Sequence, residues 1–232
     1  MSSYNKVIWT EGMFLRPQHF QQQERFLQNR IEARCANISS YSWGITKLII
    51  DEQLLLLGKV SVSICEGIFP DGTTFNIPEN DPSPEPIEIQ ADTKNETLYL
   101  VLPLVSDNIS EIKGATEAEV LKRYRLKEIE TKDLHTKLEK NSATIQGGEL
   151  NTLLRSSSQD LNAFVYLPIA KIIECKSDKQ IIIENTFIPS CINSKASTQL
   201  VKYIEEISGL LHHKGEYLAK RLGAPGAGGA AE

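Results

Sequence analysis

No Cys-x-x-Cys pair occurs in this chain: its four cysteines, Cys35, Cys65, Cys175 and Cys191, stand far apart, which argues against a zinc knuckle or a thioredoxin-like redox site. The longest apolar run, Leu98 to Val105, is eight residues long and contains Pro103, whereas a membrane-spanning helix needs about twenty. Aromatic residues make up only 7% of the chain. Clusters of Lys and Arg are missing as well. The net charge is −5, and in the densest charged stretch, Lys122 to Lys140, both signs alternate, which excludes a nucleic-acid surface. The first twelve residues hold no signal-peptide core, so a reducing compartment is expected, with the cysteines acting as small buried hydrophobes.

What is present, in 232 residues that are 41% hydrophobic and 24% charged, is the material of a folded, mainly β chain. Pro17 suits the first position of a helix, and Gln18 to Ser39 continues without Gly or Pro. Phe20, Leu27, Ile31, Cys35 and Ile38 fall on one helical stripe, with Gln22, Arg25, Asn29 and Glu32 on the opposite, polar face. Phe26 lies off the stripe. Extended segments follow at Ile45 to Ile50, Lys59 to Phe69, Thr73 to Ile77 and Thr97 to Leu104, the last apolar enough for burial on both faces. The Asp71-Gly72 step joins the second and third of these as a hairpin. Alternation favours a strand from Arg123 to Leu134, and further strands are expected at Ala143 to Leu154, Ala163 to Cys175 and Gln180 to Phe187. Gly147-Gly148 reads as a bulge, and Lys176 to Lys179 as a tight turn. This is the pattern of an antiparallel sandwich.

After Pro189 the pattern becomes helical again. Leu200, Ile204, Ile207, Leu211 and Leu218 form a seam with spacings of four, three, four and seven, interrupted near Lys214-Gly215 and weakened by Gly209. One long helix beside a β domain has too little to pack against, so the seam points to an oligomeric bundle. The chain divides into a β domain over 1–190 and a helix with a Gly-rich linker over 191–232.

Little in the chain suggests catalytic or metal chemistry. His212 and His213 are adjacent and would point about 100° apart on a helix, which does not suit one metal. His19 is read as a capping or packing residue. Asp51 and Glu52 are sequence neighbours that would face apart on a strand. Neither a P-loop, a Gly-x-Ser-x-Gly elbow nor a dinucleotide fingerprint occurs. The chain is read as a non-enzyme that needs no cofactor. The unusual feature is its start, where Trp9, Met13, Phe14, Leu15 and, one turn into the helix, Phe20 concentrate bulky side chains. These either fill the core or staple the first helix, or they form an exposed anchor for a partner.

The stretch Val7 to Gln23, with its Trp9-Thr10-Glu11-Gly12-Met13-Phe14-Leu15-Arg16-Pro17-Gln18-His19-Phe20 run, resembles the opening of the TssK family, trimeric baseplate subunits of the bacterial type VI secretion system. Tyr166 to Ala170, Phe187-Ile188-Pro189 and Arg221-Leu222 with Gly226 and Gly228-Gly229 are similar to the same family in the same order. The resemblance covers the first half of the family's length. It implies a β-sandwich shoulder, then the first helix of a trimeric neck, with the later neck helices and the C-terminal head absent. It further implies docking of the shoulder on the TssF–TssG wedge, a head that reaches the TssJ–TssL–TssM membrane complex, and a cytoplasmic location at the inner face of the inner membrane. The expected role is a structural adaptor that works as a homotrimer. Two rivals are the shoulder of a phage tail receptor-binding protein and a ligand-processing enzyme on a sandwich scaffold.

Overall fold

The computed structural model describes residues 4–105, 112–113, 122–133, 135 and 142–223. Helix α1 (Pro17–Ile38) leads into strand β1 (Gly44–Ile50) and the short helix α2 (Glu52–Leu55). Strands β2 (Lys59–Val60), β3 (Val62–Ile68), β4 (Thr74–Ile77), β5 (Ile87–Glu88), β6 (Lys94–Pro103) and β7 (Ile112–Lys113) follow. After them come β8 (Tyr124–Lys132), β9 (Ser142–Leu150), β10 (Leu153–Ser156), β11 (Phe164–Cys175) and β12 (Ile181–Ile183). A 3₁₀ turn (Ser194–Ala196) precedes the long helix α3 (Thr198–Gly223).

Two antiparallel sheets, β1-β3-β4 and β10-β6-β11-β12, share one core. The first contributes Ile45, Val62, Cys65, Phe75 and Ile77, the second Leu98, Leu100, Leu102, Leu167 and Ile169. Phe69 and Phe75 meet at 4.7 Å between ring centroids inside it. The central strand β6 is buried on both faces, as its apolar run implies: Leu98, Leu100 and Leu102 point into the core, while Val101 is buried behind them and Tyr99 packs edge-on against Tyr166. Its pairing with β11 shifts register between Pro168 and Ala170, where proline has no N–H for the ladder.

The β3–β4 hairpin forms where the Asp-Gly step places it. Gly72 adopts φ +86, its N–H donates to the Phe69 carbonyl at 2.9 Å, and Asp71 Oδ1 accepts from Thr73 N at 3.1 Å. The mainly antiparallel β class, the N-terminal helix and the long C-terminal helix are all as expected.

Several details differ from expectation. Lys59 to Phe69 is two strands broken at Ser61, and Ala143 to Leu154 is two strands broken at Asn151-Thr152. The last strand stops at Ile183. Asp51 and Glu52 open α2 instead of ending a strand, Asp51 Oδ1 accepting from Gln53 N at 2.9 Å and Leu54 N at 3.3 Å. Among the described strands β7 pairs with β8 in parallel. Gly147-Gly148 is no bulge, since β8 and β9 pair residue for residue without a shift. The glycines serve as gaps: a Cβ on Gly147 would lie 2.2 Å from Ile129 Cδ1, and one on Gly148 3.3 Å from Tyr124 Cβ. The C-terminal segment, by contrast, is the one long helix expected there: α3 runs unbroken for 26 residues through Gly209 and Lys214-Gly215.

Candidate interaction surface

The N-terminal segment is held by local bonds. Met13 N donates to the Thr10 carbonyl at 3.2 Å, and Gly12 closes that turn at φ +76. Pro17 starts α1, and His19 caps it: the Arg16 N–H donates to His19 Nδ1 at 3.0 Å while His19 N donates to the Arg16 carbonyl at 3.0 Å. Trp9 packs against the start of the helix, its ring 6.1 Å from His19 and 6.2 Å from Phe20. Gln22 Nε2 donates to the Asn5 carbonyl at 2.9 Å and ties the chain to the helix flank.

None of the five predicted anchor residues joins the core. Met13 is half-buried, whereas Trp9, Leu15 and Phe20 are exposed and Phe14 is 79% exposed. The core-filling alternative is therefore set aside, and of the staple only the contact of Trp9 with the helix remains.

The polar face of the helix is expected to meet water or a polar partner; Arg25 and Asn29 are exposed as expected, whereas Gln22 and Glu32 are partly covered. Its partly covered residues are His19, Gln22, Gln23 and Phe26 along one flank and Glu32 and Cys35 along another, while Phe20, Leu27, Ile31 and Ile38 of the stripe are exposed. Four of the five stripe residues are thus bare, and most of the partly covered residues are polar. Glu32 sits at the turn of the β3–β4 hairpin, its carboxyl carbon 1.9 Å from where a Cβ on Gly72 would be. Phe26, off the stripe, is partly covered and takes the Arg30 guanidinium over its ring at 5.6 Å.

Helix α3 is rooted firmly and then leaves the body. Ile45 N donates to the Ser190 carbonyl at 2.8 Å and Ile192 N to the Ile45 carbonyl at 3.0 Å, tying the segment to β1. Gly44 allows this approach, since a Cβ there would lie 3.0 Å from the Ser190 carbonyl oxygen. Asn193 Oδ1 caps the 3₁₀ turn, accepting from Lys195 N at 3.0 Å, and the buried Ser197 caps α3. Beyond this root the seam is bare: Leu200 is half-buried, and Ile204, Ile207, Leu211 and Leu218 are exposed. Tyr203, Leu210 and Tyr217, at intervals of seven, widen the stripe and are exposed too. Sequence reading missed them, although their heptad spacing is legible. His212 pairs with Glu216 at 3.3 Å along the helix.

Among the described residues no group of three His, Cys, Asp or Glu could hold a metal ion, and no helix is long and apolar enough to cross a membrane. The Gly-rich linker expected after α3 lies outside the described residues. What the geometry defines is a class of protein: a mainly β scaffold that displays apolar helix faces.

A family model described as Bacterial Type VI secretion, VC_A0110, EvfL, ImpJ, VasE matches residues 19–232. The chain belongs to this family, the TssK family of type VI secretion proteins. The Type VI secretion system baseplate component TssK1 of Pseudomonas aeruginosa is 34% identical over 232 residues, all of this chain and 52% of the relative. A crystal structure of TssK superposes with a TM-score of 0.86 at 31% identity, covering 98% of this chain and 51% of that one. The chain thus spans about half the length of these relatives. TssK in a TssK–TssF–TssG baseplate subcomplex solved by cryo-electron microscopy shares the fold, with a TM-score of 0.77 at 24% identity over 90% of this chain and 68% of that one.

Proposed function

We propose that this chain is the shoulder and first neck helix of a type VI secretion baseplate adaptor, a non-enzyme that acts by presenting surfaces in three copies. The observation that carries the reading is the pair of bare apolar stripes on α1 and α3 in a chain of the TssK family. Apolar side chains repeated along a helix at seam spacing leave water only when another helix covers them. The α3 seam, Leu200 to Leu218, is the threefold contact. The Trp9, Met13, Phe14, Leu15 and Phe20 cluster is an anchor for the TssF–TssG wedge, because exposed aromatic and Met side chains concentrate at interface centres. The root of α3 on β1 supports a division at about residue 190. A link onward to the TssJ–TssL–TssM complex belongs to the length of the relatives beyond this chain, and it would place the assembly at the inner face of the inner membrane. A phage-tail shoulder would share the fold, but the family matched over residues 19–232 is one of type VI secretion.

Pull-down with co-expressed TssF–TssG tests the wedge contact. The chain is expected to capture the pair, and Phe14→Asp to reduce capture at least tenfold with an unchanged circular dichroism spectrum. Because Phe14 makes no core contact, loss of fold in that variant would itself contradict the placement.

A further inference from the structure

Sheet edges in folded proteins are guarded by shortness, a bulge, proline or charge, because their free N–H and C=O groups invite another strand. Most outer strands here follow that rule. β4, β10 and β12 are four residues or fewer, and β1 is broken by two register shifts, carries Lys47 and is bonded on its outer side at Ile45 by Ser190 and Ile192. β9 does not. It pairs with β8 over nine residues without a register shift, and residues 142–148 (Ser-Ala-Thr-Ile-Gln-Gly-Gly) contain no charge and no proline.

The direction of its backbone groups can be read from its root. Asn151 N donates to the Arg123 carbonyl at 2.8 Å, across the hairpin, whereas Leu150 N turns away from β8 to Asp81 Oδ1 at 3.2 Å. Alternation along an antiparallel strand then aims the N–H and C=O of Gly148, Gln146 and Thr144 outward. Among the described residues no strand lies beyond them. On one face of the hairpin Ile145 sits directly opposite Ile129, 51% and 40% exposed. The other face carries Glu128 and Glu130, both exposed and without an ion pair among the described residues, with Lys132 beyond them.

The geometry points to β9 as the acceptor for an extended segment of a partner protein, added as a further strand. That segment would place an apolar residue beside Ile145 and Lys or Arg on the face of Glu128 and Glu130. Strands lie roughly 4.8 Å apart, so its basic residues would stand about 10 Å from the two glutamates, a gap that the opposing side chains span together. The strand pairing stands on the edge alone. That the partner is a wedge protein rests on the baseplate reading.

A fluorescein-labelled nine-residue peptide alternating Val and Lys tests the pairing on the 232-residue chain by anisotropy. It is expected to bind, to lose at least tenfold in affinity when its alternate amides are N-methylated, and to bind better than a Val/Glu peptide. Gln146→Pro removes one outward N–H without touching the β8 ladder and is expected to weaken binding at least tenfold. Glu128→Lys with Glu130→Lys should reverse the order of the two peptides. Equal binding of the N-methylated probe, which needs no variant, overturns the strand pairing, and indifference to peptide charge overturns the choice of a basic segment. Capture of TssF–TssG that survives Gln146→Pro overturns the wedge as occupant while sparing the adaptor reading. Failure of the unaltered chain to capture the wedge overturns that reading and leaves the peptide result standing.

Discussion

Arg123 is buried at 4% exposure, and its partners explain how a guanidinium is held there. Nη1 donates to the Pro103 carbonyl at 2.7 Å, and Nη2 donates to Asp71 Oδ2 at 2.6 Å and to Thr73 Oγ1. One guanidinium thus joins the end of β6, the β3–β4 turn and the root of the β8–β9 hairpin. Asn151 completes the root, accepting from Arg125 Nε at 2.6 Å and donating to the Lys122 carbonyl at 2.8 Å. Arg123→Ala leaves a buried carbonyl unpaired and a carboxylate without its cation, so a loss of about 3 kcal/mol in urea melts is expected. Cys65 supplies the second residue-scale prediction. Burial, with the charge of adjacent Glu66 adding to it, pushes its thiol up to about 12. The unfolded thiol ionises near 9 while the folded one keeps its proton, so the unfolded state binds fewer protons above that pH. Its stabilising effect is complete below about pH 9 and falls as pH rises towards 12. Urea melts at pH 7, 9 and 10.5 should show a steeper alkaline decline for the native chain than for Cys65→Val.

At the scale of elements, α3 carries an inexpedient pair of glycines. Gly209 and Gly215 each have open space where a Cβ would go, and glycine in a helix interior costs about 1 kcal/mol relative to Ala. Gly209→Ala is expected to stabilise the helix by roughly that amount, read as higher helicity and a raised Tm. Loss of association in that variant would mean that the glycine marks a close helix crossing. Much of this layer was legible in the sequence: the Pro17 start of α1, the Asp71-Gly72 hairpin, the strand from Arg123 and the seam of α3 all follow from spacing or turn chemistry. The exposure of the α1 stripe was not, because periodicity gives the angle between residues and says nothing of which side is covered. Nor was the bond set of Arg123, whose partners lie 20 to 52 residues away. The free edge of β9 was equally hidden, since alternation marks a strand but not its neighbours. The bulky N-terminal cluster could be picked out by composition, yet only the structure shows that it stays outside the core.

For the whole molecule, the balance lies between a body with a complete core and two helices with bare apolar faces. The β domain needs nothing further, since both sheets close on one cluster of buried side chains. α3 leaves it from a rigid root, fixed by Ser190, Ile192 and the cap at Ser197, so its seam is carried in a defined direction. In a lone chain Ile204, Ile207, Leu211 and Leu218 stay roughly half exposed, and covering each is worth on the order of 1 kcal/mol. Three copies multiply that gain along a stripe widened by Tyr203, Leu210 and Tyr217, which suits a bundle better than a narrow two-stranded zipper. Ile207→Asp puts a carboxylate at the middle of the seam, where burial without a partner costs several kcal/mol per copy. Light scattering is expected to give three chain masses for the native protein and one for the variant at the same micromolar concentration. Because Ile207 is exposed and stands outside the core cluster, the strand signal in circular dichroism and the melting of the β core should not change. A variant that still trimerises would locate the threefold contact elsewhere, with the outward stripe of α1 the next surface to substitute.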